Sequence, residues 1–161
     1  MPALNPAVLL GSQYYVNTGD DPALIRAGIG AMAQAGLKLV RIFLQWTHVE
    51  PRQDHWDWSQ YDALFDAAAA GGLGVIVTLT ALHPPGWMKV SFGPQDLGPL
   101  DDPLYWARAV DYTRRVVARY AAHPAMHSWI LNNEPSMRAS PQPGTQLTSL
   151  IACKAFFRNP F

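Results

Sequence analysis

Trp129-Ile130-Leu131-Asn132-Asn133-Glu134-Pro135 is the stretch from which the rest of the chain can be read. An apolar run built like a buried strand stops at two amides and a carboxylate. The proline that follows has no N–H to continue a ladder. Such a pattern sets a carboxylic acid at the tip of a strand, and the preceding sequence reads as the scaffold that delivers it.

Working back from this strand, which spans residues 126–131, Pro124 closes a helix expected over residues 104–122. In that helix Ala107, Val110, Val117 and Tyr120 fall on one side, and Arg108, Asp111, Arg115 and Arg119 fall mostly away from it. Asp102-Pro103 supplies an N-cap with proline in the first helical position, and Asp21-Pro22 repeats the device before a helix over residues 23–35. Ser59 reads as the cap of a further helix that ends at Gly71-Gly72. Between the helices lie apolar, β-branched strands over residues 8–15, 38–44 and 74–80. The nearly all-apolar Lys38–Leu44 run is the pattern expected where both sheet faces are covered.

The order β-α-β-α-β-α-β, with long connections, implies an α/β fold on a parallel sheet. A doubly wound open sheet and a partial (β/α)8 TIM barrel of about four βα units both fit this order. No G-x-G-x-x-G and no phosphate-binding P-loop occurs, which weakens a nucleotide-binding open sheet. Polar and aromatic residues instead follow every strand: Gln13, Tyr14 and Tyr15, then Gln45 and Trp46, then His83 and Trp87, then Asn133 and Glu134. Chemistry gathered at successive strand C-termini is the logic of the barrel.

Composition bounds the partner. The chain of 161 residues is 49% hydrophobic and 15% charged, enough for one packed core. Twelve basic and twelve acidic residues leave no net charge, so no electrostatic footprint for nucleic acid or anionic membrane is expected. Asp66 and Gly71-Gly72 interrupt the best apolar run, so no membrane helix is expected. Met1–Leu10 lacks the basic region of a signal peptide and Cys153 is the only cysteine, from which a cytoplasmic protein without disulfides is expected. The neutral balance and six Trp, six Tyr and six Phe favour a neutral small molecule with faces that stack on aromatic rings.

Gly11-Ser12-Gln13-Tyr14-Tyr15, Val40-Arg41-Ile42, Trp46 with Glu50-Pro51, Trp58 with Tyr61-Asp62, Pro84-Pro85-Gly86-Trp87, and Tyr120 with His123-Pro124-Ala125 before Trp129 and Asn133-Glu134 together resemble family 42 glycoside hydrolases. This is the β-galactosidase family, and the ordered set matches the N-terminal part of its catalytic barrel from about residue 8 to residue 135. Asn133-Glu134-Pro135 is also similar to the family 5 cellulases and mannanases of the same barrel clan. The resemblance implies a retaining glycosidase in which Glu134 is the general acid/base and Asn133 hydrogen-bonds the sugar 2-hydroxyl. It also implies that Arg41 supports the nucleophile and that the substrate is a β-galactoside or a related β-glycoside. Glu50 matches a structural loop motif of the family and is not taken as nucleophile.

The residues themselves agree in part. A carboxyl among apolar and aromatic groups has its pKa raised towards neutrality, as a proton donor requires, and a second carboxylate about 5–5.5 Å away attacks the anomeric carbon. The plainer reading of Glu134 is a solvated loop carboxylate. Arg41 inside an apolar strand needs a partner, and a structural ion pair would serve equally. His83 reads as a sugar contact or as a loop-fixing residue before Pro-Pro. Trp46 and Trp87 read as sugar platforms or as packing residues. Gln13 and Tyr15 stand at the first strand tip. Met88–Leu100 contains neither the substrate-binding arginine nor the zinc-site cysteine usual in the family, so no metal and no cofactor is expected and sugar specificity stays open.

Residues 1–135 read as the N-terminal half of a glycosidase barrel and residues 136–161 as a divergent or truncated tail. The family nucleophile follows the seventh strand, so none is expected here and the chain alone is expected to be inactive. A half barrel also leaves open edges, which predicts self-association. Two other classes fit as well: a non-catalytic carbohydrate-binding or interaction half barrel, and an unrelated open α/β domain in which Glu134 is structural.

Overall fold

The structure is a computed structural model, and it describes residues 9–81, 83–89, 102–131 and 133. Glu134, the acid singled out in the sequence, lies outside the described residues, as does the segment after it. The elements follow the order β1 (Gly11–Tyr14), α1 (Pro22–Gln34), β2 (Leu39–Leu44), α2 (Trp46–Val49), α3 (Ser59–Gly71), β3 (Gly74–Leu79), α4 (Pro103–Tyr120) and β4 (Met126–Ile130), with a 3-10 turn at Gly86–Met88.

The four strands are parallel and lie in sequence order, β1-β2-β3-β4. A doubly wound sheet reverses its strand order at a switch point; this sheet does not. The helices also pack on a single face. Val40, Ile42, Leu44, Val75 and Val77 are fully buried in one core with Ile25 and Ile29 of α1, Leu64 and Phe65 of α3, and Tyr112 and Val116 of α4. Each such aliphatic side chain contributes roughly 1.5–3 kcal/mol when taken out of water. Sequential parallel strands with helices on one side form a partial (β/α)8 barrel, and the other face of the sheet is the barrel interior.

That second face corrects one expectation for β2. Leu39, Arg41 and Phe43 alternate with the buried residues and remain partly exposed. The strand's near-continuous apolar character reflects helices on one side and the barrel interior on the other, not helices on both.

The two Asp-Pro signals work as read. Asp21 Oδ1 accepts from Ala23 N at 2.7 Å, and Asp102 Oδ1 accepts from Leu104 N at 2.8 Å and Tyr105 N at 3.3 Å. Ser59 does not cap α3. It is the first helical residue, and its own amide is satisfied by Asp57 Oδ1 at 2.9 Å. Gly72 closes α3 with a φ of 67°, where a side chain would be strained. At Gly28 a Cβ would sit 2.8 Å from the Tyr14 ring, so any larger residue there would displace that ring.

The buried stripe of α4 differs from the expected one. Val117 and Tyr120 are buried as expected and Tyr105, Ala109, Tyr112 and Val116 join them, whereas Ala107 is exposed and Val110 is only half-buried. Tyrosine carries the stripe because each phenol finds an acceptor. Tyr105 donates to Ala81 O at 2.8 Å, Tyr112 to Leu44 O at 2.5 Å, and Tyr120 to Asp62 Oδ1 at 2.9 Å. Burial pushes all three phenols well above their ordinary range, which keeps them neutral donors.

Candidate active site

Strand register places Gln13, Arg41, Ile76 and Ser128 in one row across the interior face, with Phe43, Thr78 and Ile130 in the next row towards the strand C-termini. Arg41 is the one cation in these rows. Its Nε donates to Thr78 Oγ1 at 3.0 Å, and its Nη2 donates to Asn133 Oδ1 at 2.7 Å. The guanidinium also lies 5.0 Å from the centroid of the Phe43 ring.

These contacts join β2, β3 and the segment after β4 at the strand C-termini. They also fix the Asn133 carboxamide. With Oδ1 accepting from Arg41, Nδ2 is the remaining donor of the carboxamide, and a donor of this kind suits an acceptor such as a hydroxyl oxygen. Gln13 beside Arg41 presents the opposite situation, because its Nε2 is buried with no hydrogen-bond partner among the described residues.

Of the residues singled out in the sequence, the structure brings Arg41 and Asn133 together. Trp46 goes elsewhere. It is fully buried, it stacks on Tyr112 with ring centroids 5.0 Å apart, and its Nε1 donates to Glu50 Oε2 at 2.7 Å. No face of it is open to a sugar ring, which corrects its reading as a platform. The backbone explains the inward turn: Trp46 N donates to Thr80 Oγ1 at 3.1 Å, and Thr80 Oγ1 donates to Leu44 O at 2.8 Å, so α2 is fastened over the end of β3.

Trp87 is half-buried. Its Nε1 donates to Glu50 O at 2.9 Å, and Arg108 lies 5.8 Å above its ring. Those partners belong to the β2–α3 loop and α4, so Trp87 joins two loops and is not part of the Arg41–Asn133 group. His83 is exposed, with its amide donating to Thr80 O at 2.9 Å. Glu50 is 1% exposed, and besides Trp46 its carboxylate accepts from Asp54 N at 2.9 Å through Oε1. Its role is to organise the loop.

That loop is clipped to α4 by stacked cations. Arg115 lies over Trp56 at 4.8 Å and Arg119 over Trp58 at 5.3 Å, while Trp56 and Trp58 stack on each other at 5.4 Å. Arg108 pairs with Asp54 at 2.6 Å, which holds the Asp54 carboxyl below the usual range. On the other side, His48 bridges Thr18 Oγ1 at 2.9 Å and the Tyr61 hydroxyl at 3.4 Å. Burial lowers the pKa of His48, and Asp20 partly offsets this. Neither cluster is visible as a site in the sequence. The Trp-Arg pairs are legible there only as an aromatic loop and a basic helix face.

Among the described residues no group of three or more His, Cys, Asp or Glu side chains could hold a metal ion. Also among the described residues, no helix is long and apolar enough to cross a membrane.

The sequence pattern of glycoside hydrolase family 42, described as β-galactosidase, matches residues 13–147. The chain belongs to this family. A β-galactosidase (LacZ) of Heyndrickxia coagulans is 26% identical over 132 residues, covering 71% of this chain and 20% of the relative. A β-galactosidase of an Arthrobacter species is 25% identical over 119 residues, covering 64% of this chain and 17% of its own length. The chain thus spans about a fifth of the length of the curated relatives it matches.

Among solved structures, the β-galactosidase of the Antarctic haloarchaeon Halorubrum lacusprofundi superposes with a TM-score of 0.67 at 22% identity, covering 79% of this chain and 21% of that one. A β-glucosidase of Thermotoga maritima superposes with a TM-score of 0.66 at 14% identity, covering 93% of this chain and 46% of that one. These likenesses establish the barrel fold shared by family 42 enzymes and other glycosidases.

Proposed function

We propose that these residues form part of the catalytic barrel of a retaining β-galactosidase in which Glu134 is the general acid/base and the nucleophile comes from outside the described residues. The hydrogen bond between Arg41 and Asn133 is the observation that carries this reading. It ties the residue immediately before Glu134 to the interior face of the barrel, and the amide Nδ2 is the donor that would meet a sugar hydroxyl. The interior strand positions of the described residues hold no carboxylate, so the second acid of the pair has to be supplied elsewhere.

In this proposal Glu134 protonates the leaving oxygen while the nucleophile attacks the anomeric carbon, and it then takes the proton from water as the glycosyl-enzyme is hydrolysed. Arg41 and Asn133 contact the sugar and the nucleophile. His83 and Trp87 stand at the loop margins, where a longer substrate would reach. The protein is cytoplasmic, and open strand edges favour self-association.

The acid role is tested by leaving-group dependence in a complete barrel bearing these residues. Glu134→Gln should slow hydrolysis of phenyl β-galactoside by about 10²–10⁴-fold. It should slow dinitrophenyl β-galactoside far less, because that leaving group needs little protonation. Equal losses on both substrates would remove Glu134 from the acid role. The 161-residue chain itself should show no turnover above background. Turnover that vanishes in Glu134→Gln would show that the nucleophile lies within it.

A further inference from the structure

We propose that Tyr15, backed by Phe43, is the aromatic wall on which the pyranose ring of the substrate stacks. The proposal rests on the glycosidase reading and adds a residue to its site. Tyr15 follows the last residue of β1 and therefore stands at the C-terminal end of the sheet. Its ring lies parallel to that of Phe43, with an interplanar angle of 6° and centroids 5.9 Å apart. Phe43 in turn carries the Arg41 guanidinium that holds Asn133. Tyr15 is therefore linked to the polar group of the interior face through Phe43.

One face of the Tyr15 ring is spent on Phe43, yet the residue remains 64% exposed. No core among the described residues uses its other face, and no described residue receives its hydroxyl. A flat aromatic surface joined through Phe43 to a guanidinium and an amide suits a neutral polyhydroxylated ring. The C–H face of the sugar lies on the aromatic ring while its hydroxyls meet the directional donors. An anion would leave the Tyr15 face unused, and an apolar ligand would leave the Asn133 amide unpaired. Of the two tryptophans that the sequence offers as platforms, Trp46 is buried against Glu50 and Trp87 donates to Glu50 O away from the Arg41–Asn133 pair, whereas Tyr15 is linked to that pair through Phe43.

Saturation-transfer NMR of the 161-residue chain with methyl β-D-galactopyranoside tests this assignment. The unaltered chain and Tyr15→Phe should both transfer saturation to the ring protons of the sugar. Tyr15→Leu keeps apolar bulk without a flat face, and it should weaken binding about tenfold with the urea midpoint unchanged. Unchanged sugar affinity in Tyr15→Leu overturns the proposal, and a lowered urea midpoint with unchanged affinity assigns Tyr15 to packing against a neighbouring strand. Loss of binding in Asn133→Ala alongside unchanged affinity in Tyr15→Leu overturns the stacking wall and leaves the glycosidase reading standing. Absence of transfer to the unaltered chain also overturns the stacking wall, while the leaving-group comparison on Glu134 tests the acid independently.

Discussion

Arg41 Nη2 donates to Asn133 Oδ1 at 2.7 Å across 92 residues of sequence. A second donor of the same guanidinium reaches Thr78 Oγ1, so one half-buried cation fixes three elements. Hydrogen bonds to a charged group are worth about 1.5–3 kcal/mol, more than those between neutral partners. In a double-mutant cycle, Arg41→Met and Asn133→Ala should therefore couple by about 1 kcal/mol or more in urea unfolding. Arg41→Lys should retain little of that coupling, since an ammonium cannot present two donors in a fixed fork. Additive single effects would mean that the contact is not maintained in solution.

Glu50 is a buried carboxylate with both oxygens engaged, one by the Trp46 indole and one by the Asp54 amide. Glu50→Gln keeps the shape but turns an NH2 group towards one of those donors. The expected loss is about 2–4 kcal/mol, because a buried donor then faces a donor. The comparison with Trp46→Phe is informative, since that change removes one donor and should cost less. Equal stability of Glu50→Gln and the unaltered chain would sink the structural role and reopen Glu50 as a chemical group.

Local signals in the sequence translate directly into structure. Asp21-Pro22 and Asp102-Pro103 start α1 and α4 because a side-chain cap and a preset φ act within a single turn. The β-α alternation specifies the parallel sheet because each helical connection is long enough to return the chain for a parallel crossover. The α4 stripe is misread from sequence because tyrosine is apolar in its ring and polar at its tip, and whether it turns inward depends on acceptors such as Leu44 O and Ala81 O supplied by distant strands. Trp46 stays open between platform and packing in the sequence on the same ground, since its burial depends on Tyr112 and Glu50. Asn133 is legible as a site residue from its neighbours in sequence, but its pairing with Arg41 is not, because nothing local encodes a contact 92 residues away.

His48 offers a pH-dependent test of the latch between the β1–α1 loop and α2. Burial lowers its pKa below the ordinary 6.5, so the unfolded chain binds more protons than the folded one in the window just beneath that value. Stability is then complete above about pH 6.5 and declines as pH falls towards the folded pKa. Urea midpoints measured between about pH 5 and pH 8 should rise with pH in this window, and His48→Gln should flatten that rise. A steeper decline in the variant would contradict the assignment. Hydrogen exchange around Thr18 should quicken as pH falls over the same range, once the intrinsic pH dependence of exchange is divided out, because Thr18 is the hydrogen-bond partner of His48 Nε2.

Gln13 supplies a prediction of opposite sign to the usual cost of altering a strand residue. Its Nε2 is buried without an acceptor among the described residues, in register with Arg41. A buried amide with no partner costs about 1–3 kcal/mol in lost hydration, a penalty that an apolar side chain of similar length does not carry. Gln13→Met keeps the length and much of the volume, and in the 161-residue chain it should be neutral or stabilising by about 1 kcal/mol in urea unfolding. In a complete barrel the strand beside β1 adds groups that the carboxamide could meet, and there the same substitution should become destabilising. Destabilisation of equal size in both contexts would show that Gln13 is already satisfied by its own four strands, and that its amide does not await a partner across the open edge.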